Sequence, residues 1–69
     1  MLKGTLCNLL RAARSEAGLT QAELAERIGV SRKTINTIEN QIFVPSTLVA
    51  LLLAEALDRK VEDLFFIED

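Results

Sequence analysis

Residues 19–40 read LTQAELAERIGVSRKTINTIEN, and two helix openings with one glycine between them can be marked on this stretch alone. Thr20 is followed three residues later by Glu23, the reciprocal capping pattern that satisfies free N–H groups at a helix start. Leu24, Ala25 and Ile28 then recur at the spacing of one helix face, and the run stops at Gly29. Ser31 is a second capping residue, and the helix it opens carries Ile35 and Ile38 inward. Gly29 can turn the chain sharply, and the small Ala25 lets the next helix lie close. Val30 and Ile35 would pin the two helices at a steep angle. The spacing fits a helix-turn-helix, and equally an ordinary helical hairpin turned at glycine.

Outward from this stretch the pattern stays helical. Leu6, Leu9, Leu10, Ala13 and Ala17 predict a first helix over about Thr5–Ala17, ended by Gly18. Pro45 and Ser46 open a fourth helix running to Leu57. Val61, Leu64 and Phe65 predict a short fifth one over about Val61–Phe66. Apolar residues make up 49% of the chain but aromatics only 4%, so the core is aliphatic. Three glycines and one proline supply too few turns for a sandwich. The expected fold is all-α: five short helices in one domain over residues 1–69, with the helix-turn-helix at about 20–40 and a C-terminal segment at about 46–69.

Composition removes several functions. There is no histidine, hence no Ser-His or Cys-His dyad. A single cysteine, Cys7, forms no internal disulfide and builds no ordinary zinc site. It is read as a small, semi-buried apolar residue of helix 1. The free thiol fits a reducing cytoplasm. The longest apolar run, Leu48–Ala54, is seven residues, far below the ~20 that span a bilayer. No catalysis, cofactor, metal or membrane is expected. Charge is divided: residues 1–44 hold six basic and four acidic side chains, and residues 45–69 hold two basic and six acidic. A polyanion would meet the first part, and the acidic part would face away or toward another protein.

The combination Thr20-Gln21, Gly29-Val30-Ser31 and Ile38-Glu39-Asn40 resembles the phage repressor/Cro-type (Xre-like) helix-turn-helix family. The likeness extends through Val44-Pro45-Ser46, Leu53–Leu57 and Val61–Phe65, and back to Leu10-Arg11 and Arg14, covering about residues 6–66. It implies a lambda-repressor-like fold and sequence-specific binding of double-stranded DNA by a small cytoplasmic transcriptional regulator, read here as a repressor. It also leaves open an antitoxin that works as a protein-interaction module, or the DNA-binding part of a longer regulator. It implies that Gln21 and Asn40 lie against the DNA backbone, and that Arg14 and Glu39 form a structural ion pair. Two departures stand out. Gln41 follows Asn40 where the family has glycine, so Asn40 is expected to take any left-handed conformation needed there. Asp58-Arg59 replaces a glycine and an apolar residue.

In a helix-turn-helix the N-terminal half of the second helix enters the major groove. With Ile35 and Ile38 inward, Arg32, Lys33, Thr34, Asn36 and Thr37 face out. Arg32 and Lys33 suit guanine O6 and N7 or a phosphate, Asn36 suits adenine N6 and N7, and a threonine methyl suits thymine. Arg11 is a further phosphate candidate. In helix 4, Val49, Ala50, Leu53, Ala54 and Leu57 match the family's inward positions. That leaves Leu48, Leu51 and Leu52 as a separate stripe, which Phe66 and Ile67 are expected to extend. A homodimer through this stripe is expected, facing a palindromic operator.

Overall fold

The computed structural model describes residues 3–69. Its elements are β1 (Thr5–Asn8), α1 (Leu10–Glu16), α2 (Gln21–Ile28), α3 (Arg32–Glu39), α4 (Thr47–Ala56), α5 (Val61–Leu64) and β2 (Phe65–Glu68). The expected all-helical class holds, with five helices and one small two-stranded sheet.

Three helices start on hydroxyl caps. Thr20 Oγ1 accepts from Glu23 N at 3.1 Å while Glu23 Oε1 accepts from Thr20 N at 2.8 Å, which opens α2. Ser31 Oγ accepts from Thr34 N, and Ser46 Oγ from Val49 N, each at 3.2 Å, which opens α3 and α4. Leu10, Leu24, Ile35, Ile38, Leu53 and Leu64 are fully buried, one or two from each helix. Burial of such a side chain is worth ~1.5–3 kcal/mol, so these six fasten the helices to one another around a single aliphatic core.

Four helix ends use a left-handed residue to fold back the last carbonyls. After α1 and α2 it is Gly18 (φ 72°) and Gly29 (φ 80°). After α3 it is Gln41 (φ 59°), and after α4 it is Asp58 (φ 53°). Asn40, expected to take that conformation, keeps φ −89°. The reason lies in the hydrogen bonds: Gln41 N donates to Ile38 O and Ile42 N to Thr37 O, a closure that needs positive φ one residue beyond the cap. The space beside Gly29 is open, so only its φ restricts the side chain there, and not a close helix approach.

Both ends of the chain depart from expectation. Helix 1 does not start at Thr5: residues 5–8 are extended and α1 begins at Leu10. Likewise α5 stops at Leu64, and Phe65–Glu68 is a strand rather than helix. The two segments pair antiparallel, Thr5 with Glu68 through Asn8 with Phe65. The β-branched and aromatic residues of Phe65-Phe66-Ile67 favour this pleated pairing. Asn8 ends the strand, since its Oδ1 accepts from Leu10 N and its Nδ2 donates to Ile38 O at 2.9 Å. Cys7 is therefore half-buried in a strand opposite Phe66, not on a helix. Leu9, expected on the inner face of helix 1, is 53% exposed. The apolar spacing of residues 6–9 had suited a helix, but pairing with a strand sixty residues away decides the outcome.

Candidate nucleic-acid interface

Ile35 and Ile38 hold α3 against the core, so its remaining residues form an outer face. Arg32 and Lys33, the first two helical residues, are exposed. Thr34 is half-buried, its hydroxyl 3.0 Å from that of Ser31. Thr37 is half-buried too, and its hydroxyl donates back to the carbonyls of Lys33 and Thr34, which leaves the methyl as its outer group. Asn36 and Asn40 are exposed, and Gln21 at the start of α2 lies beside them.

These polar groups are wired to one carboxylate. The Glu39 side chain has 0% solvent exposure. Arg14 grips it in two-pronged fashion, Nε to Oε2 at 2.7 Å and Nη2 to Oε1 at 3.2 Å, while Arg14 Nη1 donates to Leu19 O. Glu39 Oε1 also accepts from Gln21 Nε2 at 3.0 Å and Arg11 Nε at 3.3 Å. Burial alone would push the Glu39 carboxyl up. The hydrogen bonds from Arg14, Gln21 and Arg11, with the charge of Arg14, outweigh it and hold the group below its ordinary value. The hydrogen bond to Glu39 in turn raises the Arg14 pKa against the penalty of burial. The expected ion pair is thus present in the structure, and larger than expected.

From Glu39 the bonds run outward and close on themselves. Gln21 Nε2 donates to Asn36 Oδ1 at 3.2 Å. Asn40 Nδ2 donates to the same oxygen at 3.2 Å and to Asn36 O at 2.9 Å. Arg11 Nη2 donates to Asn40 Oδ1 at 3.2 Å and returns to Glu39 through Nε. Five side chains, Arg11 of α1, Gln21 of α2, Asn36 and Glu39 of α3 and Asn40 just after it, therefore make one ring. The sequence pattern picks out Gln21, Asn36 and Asn40 separately. Their mutual bonding has no signature in a one-dimensional spacing, because the ring joins residues up to twenty-nine positions apart.

The apolar surface lies on other elements. Leu48 (66% exposed) and Leu51 (53%) are open, whereas Leu52 is half-buried and not part of an open stripe. Phe66 and Ile67 are both exposed but, as neighbours in a strand, face opposite sides of the sheet. Ile67 shares a groove with Leu6 and Val44, and Leu6 also lines the adjoining groove with Pro45 and Leu51. Phe66 cannot extend that surface. Ile42, Phe43 and Val44, between α3 and α4, are exposed as well. No helix pattern claims this three-residue apolar run, and that is the signal by which the sequence marks it.

A helix-turn-helix family model matches residues 10–64. The chain is 47% identical over 62 residues to an uncharacterised HTH-type transcriptional regulator of Methanothermobacter thermautotrophicus, covering 88% of this chain and 90% of that protein. It is 39% identical over 62 residues to the uncharacterised HTH-type regulator YgzD of Bacillus subtilis, covering 90% and 94%. Among solved structures it resembles the restriction-modification controller protein C.AhdI from Aeromonas hydrophila, at 33% identity and a TM-score of 0.74, over 78% of this chain and 82% of that one. With the capped α2–turn–α3 unit and its buried Arg14–Glu39 anchor in place, the chain belongs to the Xre/Cro-type helix-turn-helix family of DNA-binding transcriptional regulators.

Proposed function

We propose that this chain acts as a repressor: it binds an operator in duplex DNA as a homodimer and blocks access to it. The observation that carries DNA reading is the outer face of α3. Arg32, Lys33 and Asn36 stand exposed on a helix whose other side is locked by Ile35 and Ile38. Arg32 and Lys33 suit guanine edges, while Thr34 and the Thr37 methyl flank them. Gln21 and Asn40 border this face on either side; with both side-chain N–H groups of each held in the ring, the first-turn backbone N–H of Gln21 is the donor that suits a phosphate oxygen, a contact that fixes register without carrying sequence. The action is binding and not catalysis, and the proposed location is the cytoplasm. No helix among the described residues is long and apolar enough to cross a membrane.

Residues 1–69 would then work as one unit, with residues 20–40 reading DNA and residues 46–69 supplying the dimer contact. The exposed Leu48, Leu51 and Ile67 support that contact. Two copies would face a palindrome with half-sites about one DNA turn apart, ~34 Å.

Selection of bound duplexes from a random library, followed by footprinting and a salt titration, tests this. A palindromic footprint with affinity falling steeply as salt rises is expected, because bound phosphates release counterions. No duplex affinity above background would leave the protein-interaction reading instead.

A further inference from the structure

We propose that Asn36 reads a guanine through its NH2 group alone, and that the ring ending on Glu39 sets this choice. The inference rests on the DNA-binding reading above. Adenine is recognised by an asparagine that offers both atoms, Oδ1 to the N6 amino group and Nδ2 to N7. Here Asn36 Oδ1 already accepts from Gln21 Nε2 and from Asn40 Nδ2, each at 3.2 Å. Its two lone pairs are taken. Nδ2 has no partner among the described residues, and Asn36 is exposed.

The direction of the amide follows from groups that only accept or only donate. The Glu39 carboxylate accepts only, so the Gln21 nitrogen must face it. The second N–H of that nitrogen reaches Asn36, which must answer with oxygen. From the other side, the Asn36 backbone carbonyl accepts only, so Asn40 turns its nitrogen there, and the second N–H of Asn40 also meets Asn36 Oδ1. The Arg11 guanidinium donates only, and Asn40 Oδ1 receives it. Both arms thus require the same orientation, with Asn36 NH2 outward. A donor-only edge faces two adjacent acceptors on guanine, N7 and O6. On adenine it meets one acceptor beside another amino group, and on thymine one acceptor beside a methyl.

The test is library selection with the wild type, Asn36→Ala, Asn36→Asp and Gln21→Ala. The base pair whose preference disappears in Asn36→Ala is the one Asn36 reads. Guanine is expected there in the wild type, favoured over adenine on the order of tenfold. Asn36→Asp keeps oxygens for Gln21 and Asn40 but turns an acceptor outward, so its preference should move to cytosine, through N4. Gln21→Ala frees one side of Oδ1 and should lower the guanine-to-adenine ratio at that pair, whereas mere loss of a phosphate contact would weaken all duplexes alike. Adenine at that pair in the wild type, or an unchanged ratio in Gln21→Ala, overturns the assignment. Loss of preference at no pair in Asn36→Ala does so as well. Failure of the wild type to enrich any duplex overturns DNA reading itself, and this assignment with it.

Discussion

Glu39 carries its charge on a side chain that meets no solvent, and that residue ties together both the fold and the polar outer surface proposed to meet DNA. Removing one partner of a buried ion pair strands the other, at about 3–5 kcal/mol. Arg14→Ala is expected near the lower end, since Arg11 and Gln21 still donate to Glu39. Urea denaturation measures it, and a loss under about 1 kcal/mol, the worth of an exposed pair, would show that the pair is not anchoring the fold. The same residue predicts an acid response. In the folded chain its pKa is lowered from 4.5, so the unfolded chain binds more protons in mild acid. Its stabilisation is complete above the unfolded value and is lost as pH falls through the folded one. Glu23, held down by its hydrogen bonds with Thr20, adds in the same direction. Wild-type stability should therefore fall as pH drops below about 4.5, and Glu39→Gln should show a shallower fall over the same range. Gln41 offers the opposite sign. An L residue at φ 59° is strained by about 1–2 kcal/mol relative to glycine, offset in part by the entropy glycine loses on folding. Gln41→Gly is expected to gain up to about 1 kcal/mol in thermal melts. A lower midpoint would mean that the glutamine side chain makes a compensating contact.

Among the elements, the two-stranded ribbon is the feature that ties both ends of the helical body together. An isolated two-stranded hairpin is marginal in water. This one persists because Phe65 packs against the core, Leu9 N donates to Leu64 O at 2.8 Å, and Asn8 bonds the end of α3. Gly4 enters the ribbon at φ 84°, and a Cβ there would fall 2.5 Å from Ile67 Cγ2. Gly4→Val should therefore open the ribbon while leaving the α2–α3 unit folded. Amide hydrogen exchange reads this directly: protection should drop at residues 5–8 and 65–68 and persist in α3. Uniform loss of protection would mean that the ribbon and the bundle unfold as one unit.

For the molecule as a whole, the question is how so small a core coexists with so much open apolar surface. Leu48, Leu51, Val44 and Ile67 are all at least half exposed. A domain of this size gains from a partner that covers such residues, and in the proposed arrangement the acidic C-terminal part would turn that side away from DNA. Sedimentation at micromolar concentration should show a dimer for the wild type and a monomer for Leu51→Glu. Leu51 is the suitable probe because it is exposed, whereas Leu52 is half-buried and its substitution would also damage the core. The thermal midpoint of the wild type should also rise with protein concentration. A concentration-independent midpoint, or a dimeric Leu51→Glu, would remove this surface as the interface.

The sequence by itself determined the features that depend on neighbours along the chain. Thr20, Ser31 and Ser46 act on N–H groups three residues away, and Gly18 and Gly29 set their own φ, so helix starts and turns could be read from spacing. The pairs Ile35/Ile38 and Leu53/Leu57 follow helical periodicity, which identified the inner face and, by exclusion, the outer residues Arg32, Lys33 and Asn36. Only the tertiary structure decided what depends on contacts between distant segments. Residues 5–8 satisfy a helical spacing and become a strand because Phe65–Glu68 arrives beside them with free backbone groups to pair. Leu52 and Phe66 fit an apolar stripe by type, yet the rotation of α4 and the pleat of β2 turn them away from it. The ring from Glu39 to Asn36 arises because three helices bring their polar residues to one edge, and hydrogen-bond direction there is imposed by a charge that no local pattern reveals.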